Sequence, residues 1–240
     1  MAMADSLAIT LIRHGMTPEN QARRYIGHTD VPLDEQEKTR LLQADLPLFK
    51  PVDLLVSSDL LRCKQTRELL FRNYGGGKYE MVQWREMHFG DWEGKTFLEL
   101  KEIKEYRQWL SSPLAMVPPN GESYQAFCQR VEEALEQTVL LAEQANAEHV
   151  AVVTHGGPIR CILERYAPQE RPFWEWTVPF GGGFTLQSTL ERWKEKKRCI
   201  SLSEVLFKES ENGRALTTEL KDGKMLFGVT DMSGNMASRM

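Results

Sequence analysis

Short apolar runs alternate along this chain with longer stretches in which apolar residues return every three or four positions. Leu7 to Ile12 is a short run followed by a loop at Gly15, the pattern of a strand buried in the middle of a sheet. Asp34 opens a predicted helix over residues 34–49, with Leu41, Leu42, Leu46 and Leu48 among charged residues. Asp53 to Val56 reads as a second strand, and Ser57, Ser58 and Asp59 offer caps for a helix running to about Arg72. Gly75, Gly76 and Gly77 then break the chain before a strand from Tyr79 to Trp84. Helical spacing predicts one helix from Thr96 to Leu110 and, after the proline-rich loop SSPLAMVPPNGES, a long one carrying Tyr124, Phe127, Val131, Leu135, Thr138 and Leu141 on one face. Val150 to Val153 is another buried strand, and Pro158 suits the first turn of the helix behind it. Beyond Phe173, TVPFGGGFTLQSTL and CISLSEVLF read as hairpin or edge strands, with Arg192 to Arg198 as a solvated turn between them.

Strands alternating with helices predict an α/β fold: a three-layer sandwich with a mostly parallel sheet and helices on both faces. One domain is expected over 1–207. Residues 208–240 form a polar, poorly periodic extension whose last ten residues read as disordered. Ligands of such sheets bind outside the carboxyl ends of the strands, which places Arg13-His14-Gly15, Ser57-Ser58 and His155-Gly156-Gly157 on one rim.

Composition narrows the possibilities. With 240 residues, 41% of them hydrophobic, the chain has material for a full core. A formal net charge of −4 argues against a nucleic-acid partner. With no leader-like N-terminus and no apolar run near the roughly 20 residues that span a bilayer, the expectation is a cytoplasmic protein without a membrane partner. Cys63, Cys128, Cys161 and Cys199 are scattered and expected to be reduced. An exposed edge strand in 173–207 offers a contact for a homodimer.

Two histidines at strand ends are potential metal ligands, but Arg13 and Arg62 beside them argue against a cation. Guanidinium groups with glycines that admit close backbone approach suit a phosphate instead. Nearby positive charge also favours a neutral His14, which leaves a lone pair free to attack phosphorus.

RHG at 13–15, SSDLLRCKQT at 57–66, REMHFGDWEG at 85–94 and VVTHGGPIR at 152–160 together resemble the motifs of the histidine phosphatase superfamily, also called phosphoglycerate mutase-like. The resemblance implies an α/β sandwich with a small helical cap inserted at about 96–144, and a metal-independent phosphomonoesterase with no cofactor, acting on a small-molecule phosphomonoester. It implies that His14 is the nucleophile that becomes phosphohistidine, that Arg13, Arg62 and His155 clamp the phosphoryl oxygens, that Asn20 adds a polar contact, and that Gly156 supports the pocket with its backbone. Glu86 matches the acid that protonates the leaving alkoxide. Met16, Cys63 and Arg67 depart from the common pattern beside these groups. The short interval between Glu86 and His155 resembles the compact phosphatase branch rather than the mutases. RRYIGHTDVPLDE and FGDWEG resemble α-ribazole phosphatase-like and broad-specificity members, so an α-ribazole 5′-phosphate-like substrate leads, with phosphoglycerate mutase-type transfer and a silent phosphate-binding module as alternatives. Taken singly, some residues have plainer readings. Trp84, Phe89 and Trp92 suit a core better than a ligand, His28 and His149 carry no support for chemistry, and His88 is either structural or a substrate contact beside Glu86.

Overall fold

A computed structural model describes residues 6–44, 48, 50–206, 216–221 and 224–229. Its elements in chain order are β1 (Ser6–Arg13), α1 (Pro18–Gln21), α2 (Glu35–Gln43), β2 (Leu54–Ser57), α3 (Leu61–Leu70), β3 (Lys78–Glu80), α4 (Phe97–Leu100), α5 (Lys104–Ser111), α6 (Tyr124–Ala145), β4 (His149–Thr154), α7 (Gly156–Tyr166), β5 (Gly183–Thr189), α8 (Leu190–Lys194), β6 (Ser201–Val205), β7 (Leu216–Lys221) and β8 (Lys224–Val229).

The main sheet has six strands in the order β3-β2-β4-β1-β5-β6. Its first four strands run parallel, and β5 and β6 add an antiparallel flank. Alternation along the strands sorts the core onto two faces. Leu7, Ile9, Leu11, Val56 and Val152 pack with Phe127, Val131 and Leu135 of α6 and Ile159 and Ile162 of α7. Ile12, Leu55, Ala151 and Val153 face the other way, onto Cys63 of α3 and Phe71. The result is the expected layering, a mixed sheet between two helical layers. Because β1 and β4 are parallel neighbours with Arg13 opposite Thr154, the RHG and THGG loops leave the sheet side by side.

Several elements differ from the sequence expectation. The helix predicted for 96–110 divides into α4 and α5, each with its own start, since Thr96 caps α4 in a capping box with Glu99. With the 89–92 turn, these pieces form an aromatic core of their own from Tyr25, Trp92, Leu100, Tyr106 and Trp109. Of the expected 96–144 insertion, α6 packs instead with the main core. Only Lys78–Glu80 of the strand predicted near 79–84 pairs with β2, and Val82–Trp84 turn as a 3₁₀ helix. The Arg192 to Arg198 turn overlaps the end of α8, whose Trp193 is buried and donates from its indole N–H to the Leu7 carbonyl, 3.1 Å away. Residues 177–182 are loop rather than strand. Beyond residue 206, where little order was expected, β7 and β8 pair antiparallel. Residues 231–240, expected to be disordered, lie outside the described residues.

Candidate active site

The rim at the carboxyl ends of β1, β2 and β4 collects the expected residues. His14 follows the last residue of β1, and its backbone N–H bonds to the Thr154 carbonyl at 2.8 Å. His155 is the N-cap of α7, and the two imidazole centroids stand 5.0 Å apart. Both histidines are buried. His14 Nδ1 lies 2.7 Å from the Gly15 carbonyl. Since a carbonyl only accepts, Nδ1 carries the proton and Nε2 keeps its lone pair. Burial first, then the Arg62 and Arg13 charges, holds His14 well below the ordinary histidine pKa, so the ring is neutral near pH 7. The same causes, burial foremost, keep His155 neutral, and its Nε2 meets the Ser58 hydroxyl at 3.1 Å.

The two arginines are held by backbone carbonyls rather than by carboxylates. Arg62 donates to Gly27 O at 2.7 Å and Thr29 O at 2.9 Å. Arg13 donates to Val178 O at 2.7 Å and stacks over the Phe180 ring, 3.5 Å from its centroid. Burial, followed by the neighbouring Arg160, lowers the Arg13 pKa to about 9, which leaves it cationic at neutral pH. On each guanidinium the buried Nε has no hydrogen-bond partner among the described residues. Unsatisfied cationic donors beside a neutral imidazole are chemically suited to receive an anion.

Glu86 completes the cluster from the loop after the Val82–Trp84 turn. One carboxylate oxygen accepts from the Gly157 N–H and the other from the Met87 N–H, both at 3.0 Å. A Cβ at Gly157 would lie 2.0 Å from Glu86 Oε1, so this glycine is what permits the contact. At Gly156, the glycine expected to support the pocket, a Cβ would meet the Arg13 guanidinium at 3.4 Å and Arg160 Nη1 at 3.6 Å, both ordinary contacts. Asn20 takes a capping role in α1, where its side chain accepts from the Thr17 N–H at 3.3 Å.

Several partners were not visible in the sequence. Ser57, Ser58 and Asp59 do not cap α3 as expected; helix residue Leu61 donates instead to Asp30 Oδ1 at 2.7 Å, from a loop 31 residues earlier. Glu93 fastens that loop by accepting from the N–H groups of His28 (2.7 Å) and Thr29 (2.6 Å), so the carbonyls that orient Arg62 are themselves fixed. Arg160 lay inside a quoted motif without a role. It lines a cleft of about 480 Å³ beside Glu86 and Gly157, together with Phe89, Trp109, Pro113, Tyr124, Phe127, Phe173 and Trp174. Phe89, expected as core, is thus also a cleft wall, whereas Trp84 and Trp92 are buried. His88 stacks on His28 with centroids 4.6 Å apart. His149 bonds Thr10 at 2.8 Å near the start of β4.

Among the described residues, no group of three or more His, Cys, Asp or Glu side chains is placed to hold a metal, and no helix is long and apolar enough to cross a membrane.

Known proteins resemble this chain in sequence and fold. The chain is 29% identical over 163 residues, 66% of its own length and 79% of the relative's, to an adenosylcobalamin/alpha-ribazole phosphatase of Salmonella typhimurium. It is 34% identical to a metal-independent phosphoserine phosphatase of Arabidopsis thaliana, over 65% of this chain and 67% of that one. The crystal structure of a putative alpha-ribazole-5′-P phosphatase from Escherichia coli superposes with a TM-score of 0.68 at 26% identity, covering 85% of this chain and 96% of that one. The pattern of the histidine phosphatase superfamily (branch 1) matches residues 9–200. Because that span takes in His14, Arg62, Glu86 and His155 on the sheet that gathers them, the chain belongs to the histidine phosphatase superfamily and is a phosphatase of small phosphorylated substrates.

Proposed function

We propose that the protein hydrolyses a phosphomonoester through a phosphohistidine on His14, without a metal, and that its leaving group carries a ring. The first part is carried by one observation, the neutral His14 whose Nδ1–H is committed to Gly15 O while Nε2 sits among guanidinium donors with unused N–H groups. Phosphate oxygens satisfy those donors, and Nε2 attacks phosphorus in line as the ester P–O bond breaks. Arg13, Arg62 and His155 take the charge on the equatorial oxygens, with the Asn20 amide as a further donor and Gly156 at the positive end of α7. Glu86 delivers a proton to the departing alkoxide. It then takes one from the water that cleaves the N–P bond, releasing inorganic phosphate and restoring His14.

The cleft supports the second part. Its walls are mostly aromatic, with Arg160 and Glu86 as the charged groups, and the leaving oxygen would lie at Glu86. Such walls suit the stacking of a flat apolar ring better than the carboxylate of a small amino-acid or glycerate ester. An α-ribazole 5′-phosphate-like compound fits this description, and the α-ribazole phosphatase relative agrees with it. On this reading the cap segment, through Trp109 and Pro113, selects the leaving group.

Rapid quenching with a radiolabelled ester should trap an acid-labile, base-stable phosphoryl group on His14. His14→Ala should abolish the label and lower kcat on the order of 10⁴-fold, with a chelator causing no loss. Label retained in that variant would end the His14 assignment. Higher kcat/KM for phosphoserine or phosphoglycerate than for α-ribazole 5′-phosphate would end the substrate assignment.

A further inference from the structure

Cys128 and Cys161 are distant in sequence, yet α6 and α7 pack so that their sulfurs stand 2.8 Å apart. Both are free thiols. That separation is inside ordinary sulfur contact and not far beyond an S–S bond of about 2.05 Å. The two groups are unlike. Cys128 is half-buried and Cys161 is buried. A hydrogen bond from the Cys161 thiol draws Cys128 below its ordinary pKa against the burial that raises it, whereas burial first and then that same bond keeps Cys161 protonated. A half-buried cysteine whose thiol is drawn below its ordinary pKa, in contact with a buried thiol, is the arrangement an oxidisable pair requires. The other cysteines differ: Cys63 turns to the Thr154 carbonyl and His155, and Cys199 donates to the Ser201 carbonyl.

The pair also adjoins the cleft. Cys128 follows Phe127 and lies one turn from Tyr124, and Cys161 follows Arg160 and lies one turn from Gly157; all four of these neighbours line the cleft.

We propose that Cys128 and Cys161 are a redox modification site, oxidised by a hydroperoxide or a small disulfide to a bond that ties α6 to α7 beside the leaving-group cleft. With a hydroperoxide, the Cys128 thiolate attacks one peroxide oxygen and the O–O bond breaks. The displaced oxyanion takes a proton, leaving a sulfenic acid on Cys128. The Cys161 thiol then attacks that sulfur, the S–S bond forms, and the sulfenic oxygen leaves as water with the thiol's proton. Two thiols have passed two electrons to the peroxide, and a reducing dithiol reverses the step. The site rests on helix packing alone and stands whether or not His14 is the nucleophile.

The full-length protein should be treated with hydrogen peroxide or with glutathione disulfide, alkylated, and mapped without reduction. The expected result is a cross-linked peptide pair containing residues 128 and 161, a higher Tm because the closed loop restricts the unfolded chain, and a changed KM for an aromatic phosphomonoester, all reversed by dithiothreitol. Cys128→Ser should lose the cross-link and Cys199→Ser should keep it, while Cys161→Ser should trap glutathione on Cys128. Sulfinic or sulfonic Cys128 without a cross-link, a disulfide to Cys63 or Cys199, or a cross-linked protein with the Tm and KM of the reduced form would each overturn the proposal.

Discussion

Gly157 shows how much of the proposed chemistry depends on a missing atom. Its N–H holds one Glu86 oxygen at 3.0 Å, and the other oxygen occupies the space a Cβ would need. Gly157→Ala should therefore push the carboxylate out of place and lower kcat on the order of 10²-fold, as expected for loss of a positioned acid. Circular dichroism should be unchanged, because alanine suits a helical first turn; an unaltered kcat would remove Glu86 from the reaction. His14, Arg62, Glu86 and His155 were legible in the sequence because each sits in a short run of distinctive neighbours. Phe180, which carries the Arg13 guanidinium, was not. It comes from a loop expected to be strand, and nothing local marks a ring that becomes a partner only across the sheet edge.

Among elements, α6 does more than cover the sheet. Arg130 on this helix donates to the carbonyls of Gln83 (2.9 Å), Arg85 (3.0 Å) and Glu86 (3.2 Å) and pairs with Glu122 at 2.7 Å. One side chain thereby fastens the acid loop to the end of the proline-rich segment. Arg130→Met should cost roughly 2–3 kcal/mol in chemical denaturation, since three carbonyls and a half-buried carboxylate lose their donor. As a positioning residue it should also lower kcat and change the pH profile of the step assigned to Glu86, which a purely structural role would not. The cleft wall has its own test. Trp174 is half-buried and lines the cleft, so Trp174→Ala should raise KM for a ring-bearing ester by about 10-fold, a stacking loss near 1.4 kcal/mol, and leave a small aliphatic ester little affected. Element boundaries followed the chain where the cap is local, as with Asp34, whose carboxylate accepts from Gln36 and Glu37 at the start of α2. They went astray where it is remote, as with Asp30 and α3.

For the molecule as a whole, the interior holds histidines neutral. His14, His28, His149 and His155 are all pushed below the ordinary value, with burial the leading cause in each. The unfolded chain takes up protons below about pH 6.5 that the folded chain refuses, so this part of the stability is complete above that pH and is lost as the pH falls below it. The slope is at most about 1.4 kcal/mol per pH unit for each of the buried pair His14 and His155. Urea midpoints measured between pH 7.5 and 5 should fall accordingly, and His14→Gln should flatten the curve; a flat wild-type curve would contradict neutral buried rings. By itself the sequence determined the alternation of strands and helices, the parallel centre of the sheet, and the gathering of arginine and histidine motifs at strand ends, because periodicity and short motifs are local properties of a chain. Only the tertiary structure decided which carbonyls aim Arg13 and Arg62, that Gly157 seats Glu86, that aromatic side chains from distant segments wall one cleft, and that Cys128 meets Cys161. Those relations depend on how elements far apart in sequence are brought together, and that is set by packing across the sheet rather than by any local run of residues. Of the stretch RHG, the neighbours were readable in the chain, but the tautomer of His14 was settled only by the direction of the Gly15 carbonyl.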